Sequence, residues 1–190
     1  MALRNTTRRW GAVAQLLHWL IVIFVITQFT LFALFDDLPA GARKLTLLAR
    51  HKSVGITILM LALLRLAWRS ANPTPELPDT LKPYERRLAR FTHGLLYGLL
   101  FAVPLAGWTA SSARGFPVSW FGLFTLPDLV PKNKGLYDML LDTHAFLAWA
   151  LGVVAIIHLL AALKHHFVLK DDVLRRMLPF TSRKTQGSEP

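Results

Sequence analysis

Four long apolar stretches dominate this sequence of 190 residues. They cover residues 10–35, 46–68, 91–110 and 140–167. A helix needs about 20 apolar residues to cross the hydrocarbon core of a bilayer, and each stretch reaches that length. Charged or turn-forming segments separate the stretches. The sequence therefore predicts an all-α integral membrane protein built as a four-helix transmembrane bundle.

The composition supports the membrane class and excludes several kinds of site. The chain is 53% hydrophobic with a mean hydropathy of +0.39, which is too apolar for an ordinary soluble domain. The chain has no cysteine, which excludes disulfides, iron–sulfur clusters, thiolate zinc sites and thioether-linked haem. The net charge of +11 does not indicate a nucleic-acid partner, because the basic residues flank apolar stretches and form no basic face with interleaved aromatics.

The distribution of basic residues predicts the orientation of the bundle. Fifteen lysines and arginines lie on the side of the two chain ends and of the loop 69–90. Only seven lie on the other side: Arg43, Lys44, Arg50, Lys52, Arg114, Lys132 and Lys134. Cytoplasmic loops carry the excess of basic residues, so we expect both termini in the cytoplasm.

We expect one membrane domain over residues 1–180 and a disordered tail over 181–190. The first apolar stretch exceeds the 7–15 residues typical of a signal-peptide core, so it is interpreted as a retained helix. Pro104 lies inside the third stretch, where it is expected to kink the helix.

Histidines in the fourth stretch predict the chemistry. His144 and His158 are fourteen residues apart, which places them on nearly one helix face with an axial separation of about 21 Å. Between them on that face lie Ala148, Leu151 and Ala155, with Gly152 close by, and the small residues among these leave room beside the helix. One metal ion cannot bridge this separation, whereas two haems can, each with one of the histidines as axial ligand.

The second ligands are predicted from depth in the membrane. His18 lies about 12 Å inside the start of the first stretch, and His158 about 9 Å inside the basic end of the fourth. These two are predicted to hold an inner haem, on the side of the chain ends. His51 and His144 open the second and fourth stretches from the opposite side, and they are predicted to hold an outer haem.

Other residues near these histidines have alternative interpretations. Gly11, Ala14 and Gly55 are expected to leave room for the haems. His93 begins the third stretch and is interpreted as a shallow, water-reaching histidine at the membrane interface. The alternatives are that His93 contacts a propionate of the inner haem or replaces His18 as a ligand.

Four segments carry a resemblance to a known family. They are "LLHW" in the first stretch, "RHKSVG" in the second, "THAFLAWALGVVAIIHLLAALKHH" in the fourth, and "KDDVLRRMLP" after it. The chain resembles the bacterial cytochrome b561 family over roughly residues 5–180. The wider superfamily includes the membrane cytochrome b subunits of hydrogenases and formate dehydrogenases.

The resemblance implies a four-helix protein of the bacterial inner membrane that binds two haems b. Some family members oxidise periplasmic superoxide and reduce ubiquinone. The family's ligand positions fall on His18, His51, His144 and His158. The ascorbate-linked animal and plant cytochromes of the same name have six helices, so ascorbate oxidation is not implied for a chain with room for four.

Basic residues on the outer side are candidates for attracting superoxide. A basic funnel raises the association rate of a small anion, and the candidates are Arg43, Lys44, Arg50 and Lys52. The alternative is that these are ordinary loop charges, or that they contact anionic lipid headgroups.

Two polar residues on the inner side are candidates for a ubiquinone site. His165 follows His158 by seven residues on the same helix face, and Gln15 precedes His18 by nearly one turn. Histidine can deliver a proton near neutral pH. The alternative is that His165 and the adjacent His166 form a cationic anchor at the membrane interface.

Two other functions stay open. The chain can be the electron-carrying anchor subunit of a larger dehydrogenase or hydrogenase, in which case a partner subunit supplies the substrate site. It can also be a histidine-lined transporter of divalent metal ions. Carboxylates within the spans would favour transport, and the central parts of the four stretches contain none.

Overall fold

A computed structural model of the chain describes residues 3–7, 9–76 and 81–179, and the expected tail 181–190 lies outside these. Four long helices occur in the order α1 (Ala12–Phe35), α2 (Ala42–Ser70), α3 (Pro83–Arg114) and α4 (Lys134–Phe167). Each of them is long and apolar enough to cross a membrane. The prediction of an all-α, four-helix membrane protein is confirmed.

Three helices begin earlier than their apolar stretches. Helix α3 begins at Pro83, eight residues before the predicted start. Proline suits the first position of a helix, and the Glu85 carboxylate accepts a hydrogen bond from the backbone N–H of Lys82 at 3.0 Å. At the start of α4 the Asn133 side chain accepts from the backbone N–H of Leu136. Polar capping residues therefore extend these helices beyond the apolar stretches predicted from the sequence.

The helices pack unevenly. Helix α1 packs on α2 and α3 packs on α4, and α2 also contacts α3. No Cα atom of α4 lies within 8 Å of any Cα atom of α1 or α2. The buried core contains Ile21, Leu31, Val54, Ile58, Ala62, Leu99, Leu100 and Leu151. Helix α4 contributes only Leu151 to it, so α4 stands apart from α1 and α2 along most of its length.

A short β-hairpin covers the outer part of α2. Strands β1 (Val118–Trp120) and β2 (Phe124–Leu126) are antiparallel. Phe121 and Gly122 form the turn with φ angles of 50° and 76°, the positive values that tight hairpin turns favour. The Ser53 hydroxyl of α2 accepts from the backbone N–H of Phe121 at 3.0 Å. These contacts hold the hairpin next to the outer end of the bundle.

The segment that precedes α1 and the segment that follows α4 both contact the inner end of the bundle. The Gln15 side chain donates to the Arg176 carbonyl at 3.0 Å, and the Trp19 indole donates to the Met177 carbonyl at 3.0 Å. The Asn5 side chain donates to the carbonyl of Pro73 at 3.1 Å. The segment after α4 and the segment before α1 are thereby fastened to the inner end of the bundle.

Candidate cofactor site

Two pairs of histidines face each other across the space between α4 and the first two helices. The ring centroids of His18 and His158 are 6.4 Å apart, and those of His51 and His144 are 6.1 Å apart. All four side chains are half-buried. The structure thus brings together both pairs that the depth argument predicted, while their binding of haem stays a prediction.

The separation within each pair suits one iron ion between two imidazoles. A metal–imidazole nitrogen bond is about 2 Å long, so two imidazoles on opposite sides of one metal ion have centroids about 6 Å apart. No three histidine, cysteine or acidic side chains converge on a metal position within residues 3–7, 9–76 and 81–179. Each pair offers two ligands, which is what a tetrapyrrole iron needs from a protein when both axial positions are filled.

The His144 ring has a fixed orientation. Its Nδ1 lies 2.9 Å from the Val103 carbonyl oxygen on α3, so the tautomer that donates from Nδ1 leaves the Nε2 lone pair for a metal. A Cβ atom on Gly107 would come within 2.9 Å of the same ring. Gly107 therefore lets the imidazole lie against α3. The sequence interpretation missed this glycine, because nothing in its local pattern relates it to a residue on another helix.

The glycines that were expected to leave room for haem have other neighbours. A Cβ atom at Gly55 would lie 3.0 Å from the Gln28 amide, and one at Gly152 would lie 3.0 Å from the Phe29 ring. A Cβ atom at Gly11 would meet the backbone of Leu3. The interpretation of Gly11 as a haem spacer is wrong, since it lies against backbone atoms. Gly55 and Gly152 lie against side chains of α1, and their role beside a haem stays a prediction. The Cα atoms of α4 lie more than 8 Å from those of α1 and α2.

His93 lies beside the inner histidine pair. Helix α3 starts ten residues before it, and the side chain is half-buried with its ring centroid 5.3 Å from that of His158. This proximity favours the alternative in which His93 contacts the inner cofactor, and its position at the membrane interface stays a prediction. The 5.3 Å separation is shorter than the roughly 6 Å that two imidazoles on opposite sides of a metal ion require. The geometry favours His18 over His93 as the partner of His158.

The two inner candidates differ in their contacts. Gln15 is buried, and its amide nitrogen donates to the carbonyls of Trp10 and Arg176, so it fastens the segment after α4. The Nδ1 atom of His165 lies 2.5 Å from the Asp171 carboxylate, and both side chains are largely buried. Asp171 was not identified from the sequence, although it belongs to the "KDDVLRRMLP" segment. The His–Asp pair makes His165 the stronger proton-handling candidate.

The four outer candidates also differ. The Lys44 ammonium donates to the carbonyls of Asp36 and Leu38 at 3.1 and 2.9 Å, which satisfies the carboxyl end of α1. Lys44 therefore has a structural role. Arg43 and Arg50 are exposed to solvent.

Lys52 is half-buried beside His51 and lines a cavity. Its ammonium lies 5.5 Å from the Phe116 ring centroid and donates to the Pro117 carbonyl at 3.4 Å. The cavity has a volume of about 200 Å³ and lies between the start of α2 and the β-hairpin. Its other lining residues are Leu45, Leu48, Ala49, Phe116, Pro117 and Ser119. Lys52 places a positive charge next to a proposed outer ligand.

Comparison with known proteins identifies related sequences over nearly the whole chain. The family model described as prokaryotic cytochrome b561 matches residues 9–180. Cytochrome b561 homolog 2 of Escherichia coli (strain K12) is 36% identical over 184 residues, covering 94% of this chain and 95% of the relative. Probable superoxide oxidase CybB of Yersinia pestis is 34% identical over 163 residues, covering 86% and 92% respectively. Cytochrome b562 of Cereibacter sphaeroides is 29% identical over 171 residues, covering 85% and 90%.

Proposed function

Because the chain belongs to the prokaryotic cytochrome b561 family, we propose that it is a di-haem cytochrome b that oxidises superoxide and reduces ubiquinone. Family membership confirms the resemblance found in the sequence and makes the chain a haem b-binding electron carrier of a bacterial membrane. The proposed location is the inner membrane, with both termini in the cytoplasm. The observation that carries the proposal is the presence of two facing histidine pairs, 6.4 and 6.1 Å apart.

In this proposal each histidine pair binds one haem, one near the inner and one near the outer side of the membrane. His18 and His158 would hold the inner haem iron, and His51 and His144 would hold the outer one. Each haem supplies a one-electron redox centre when bound. Two histidines at each level would hold one iron between them, an arrangement that would suit electron transfer. The separation of more than 8 Å between the Cα atoms of α4 and those of α1 and α2 supports room for a flat group at each level.

The overall reaction requires an anion on the outer side and protons on the inner side. Two superoxide ions give up two electrons and become two oxygen molecules, while one ubiquinone takes those electrons and two protons to become ubiquinol. Lys52 and the exposed Arg50 offer positive charge near His51. On the inner side the Asp171 carboxylate accepts from His165 Nδ1, which leaves Nε2 to exchange a proton.

Haem quantitation and rapid mixing test the proposal. The purified protein should contain two haems b per chain by the pyridine haemochrome method, and superoxide should reduce them in a stopped-flow experiment. One haem per chain, or none, would show that the di-haem assignment is wrong. If two haems are present but superoxide does not reduce them, the chain is better explained as an electron-carrying subunit of a larger dehydrogenase.

Replacing His165 with alanine is expected to slow ubiquinone reduction by roughly 100-fold, the usual loss when a positioned acid or base is removed. Haem reduction by superoxide should be unchanged, because His165 lies on the inner side and is not a proposed ligand. Stopped-flow absorbance with superoxide and ubiquinone added separately distinguishes the two steps. His166→Ala, at the adjacent position, is the matched control. Equal slowing in both variants, or in neither, would place the quinone site elsewhere, with Gln15 and His93 the next residues to test.

A further inference from the structure

Arg65 places a guanidinium inside a membrane-spanning helix. It lies five residues before the end of α2, and its side chain is half-buried. Its Nη1 donates to the Ala14 carbonyl at 2.8 Å. The Tyr97 side chain also interacts with it electrostatically. A half-buried cation near the inner end of a membrane-spanning helix is costly and normally has an anionic partner or a functional reason. Among the residues that the structure describes, no carboxylate pairs with Arg65.

The groups that the structure places around Arg65 are neutral or cationic, and its guanidinium donates a hydrogen bond to the Ala14 carbonyl. The Arg69 guanidinium lies 5.7 Å from the Tyr97 ring centroid. Arg65 also acts electrostatically on three imidazoles, which come from α1, α3 and α4: His18, His93 and His158. Arginine is a donor only and cannot lose its charge. The cluster therefore lacks an anionic acceptor, and the most favourable ligand for it is a carboxylate held by both guanidiniums or by Arg65 and Tyr97.

We propose that Arg65, together with Tyr97 and Arg69, binds the propionate carboxylates of the inner haem. This inference rests on the di-haem function proposed above. Arg65 contacts Ala14, which lies about one turn before His18 on the inner side. The Arg65 guanidinium acts electrostatically on both inner imidazoles, so it would be available to the acidic side chains of a cofactor held between them. Arg65 is a positioning residue in this account, because it acts on the acidic side chains and makes no bond to the iron.

Neutralisation of the carboxylates has a measurable effect on the haem. A positive charge near the iron favours the reduced form, and the same charge keeps the adjacent carboxylates ionised. Without Arg65 the pKa of the carboxylates would rise. The extra electron of the reduced haem would raise this pKa further, so reduction would be accompanied by proton uptake. The haem potential would then fall, and it would become dependent on pH near neutrality.

The experiment compares Arg65→Gln with its parent in a His144→Ala background, where only the inner haem is expected. Spectroelectrochemical titration at several pH values around neutrality measures the midpoint potential. We expect Arg65→Gln to shift the equilibrium between reduced and oxidised haem about tenfold toward the oxidised form, which is 59 mV for one electron. The variant should also acquire a pH dependence that the parent lacks. Arg65→Lys should retain most of the parent potential, and Tyr97→Phe should shift it in the same direction as Arg65→Gln by less.

Arg87→Gln is the matched control, because it removes the same charge from an exposed position near the start of α3. A shift in Arg65→Gln no larger than in Arg87→Gln, or an unchanged pH profile with haem retained, would overturn the inference. If the Arg65→Gln protein loses its haem, the haem content of Arg65→Lys is measured. Haem retention in Arg65→Lys would support pairing of charges, and an equal loss of haem would contradict it. If His144→Ala does not leave one haem, the di-haem assignment fails separately, and the Arg65 comparison is made in the otherwise unchanged chain.

Discussion

Replacing His144 with alanine should lower the haem content from two per chain to one, and replacing His158 should do the same at the other level. The physical reason is the loss of one of the two facing imidazoles that would hold each haem. His144 faces His51 at 6.1 Å, and its ring is oriented by the Val103 carbonyl at 2.9 Å. Pyridine haemochrome quantitation gives the haem count, and reduced-minus-oxidised spectra show which haem has been lost.

The partner substitutions give the matching pattern. His51→Ala should lose the same spectral component as His144→Ala, and the double variant should lose no more, because both residues hold one cofactor. His18→Ala should match His158→Ala in the same way. His93→Ala is the control, and it should retain both haems, since its 5.3 Å ring separation from His158 leaves too little room for a metal ion. Haem loss in His93→Ala with retention in His18→Ala would show that the inner pair is wrongly assigned.

Changing Arg50 and Lys52 together to glutamine should lower the second-order rate of superoxide oxidation about tenfold at low ionic strength. Both cations lie next to His51, and an anion approaching the outer haem would enter their field. Lys44 is left unchanged because it holds the loop after α1 through two carbonyls. The rate is measured by stopped-flow absorbance after superoxide is mixed with oxidised protein, and the haem spectra should stay intact.

Salt and a control variant distinguish steering from a general charge effect. The parent rate should fall as ionic strength rises, and the double variant should respond less, because fewer charges are left to screen. Lys134→Gln removes one cation from the same side of the membrane, where Lys134 is exposed and paired with Asp138 at 2.7 Å. This control should change the rate little. A parent rate that does not depend on salt, or a Lys134→Gln rate as low as that of the double variant, would contradict steering by Arg50 and Lys52.

The sequence by itself determined the four-helix membrane architecture, the family and the pairing of histidines by depth. The reason is that the thickness of the hydrocarbon core sets the length of an apolar helix, and the helical repeat sets which residues share a face. Both are local properties of a continuous segment. His144 and His158 could therefore be placed on one face of α4, and His18 and His51 could be matched to them by depth along other helices.

Tertiary structure alone decided how distant segments meet. His93 lies beside His158 because α3 packs against α4. The neighbours of Gly55 and Gly107, the pairing of His165 with Asp171, and the contact of Arg65 with Ala14 each join different segments of the chain. Such contacts depend on helix rotation and on the spacing between helices. Neither quantity follows from the periodicity of one helix, because lipid and protein neighbours are equally apolar.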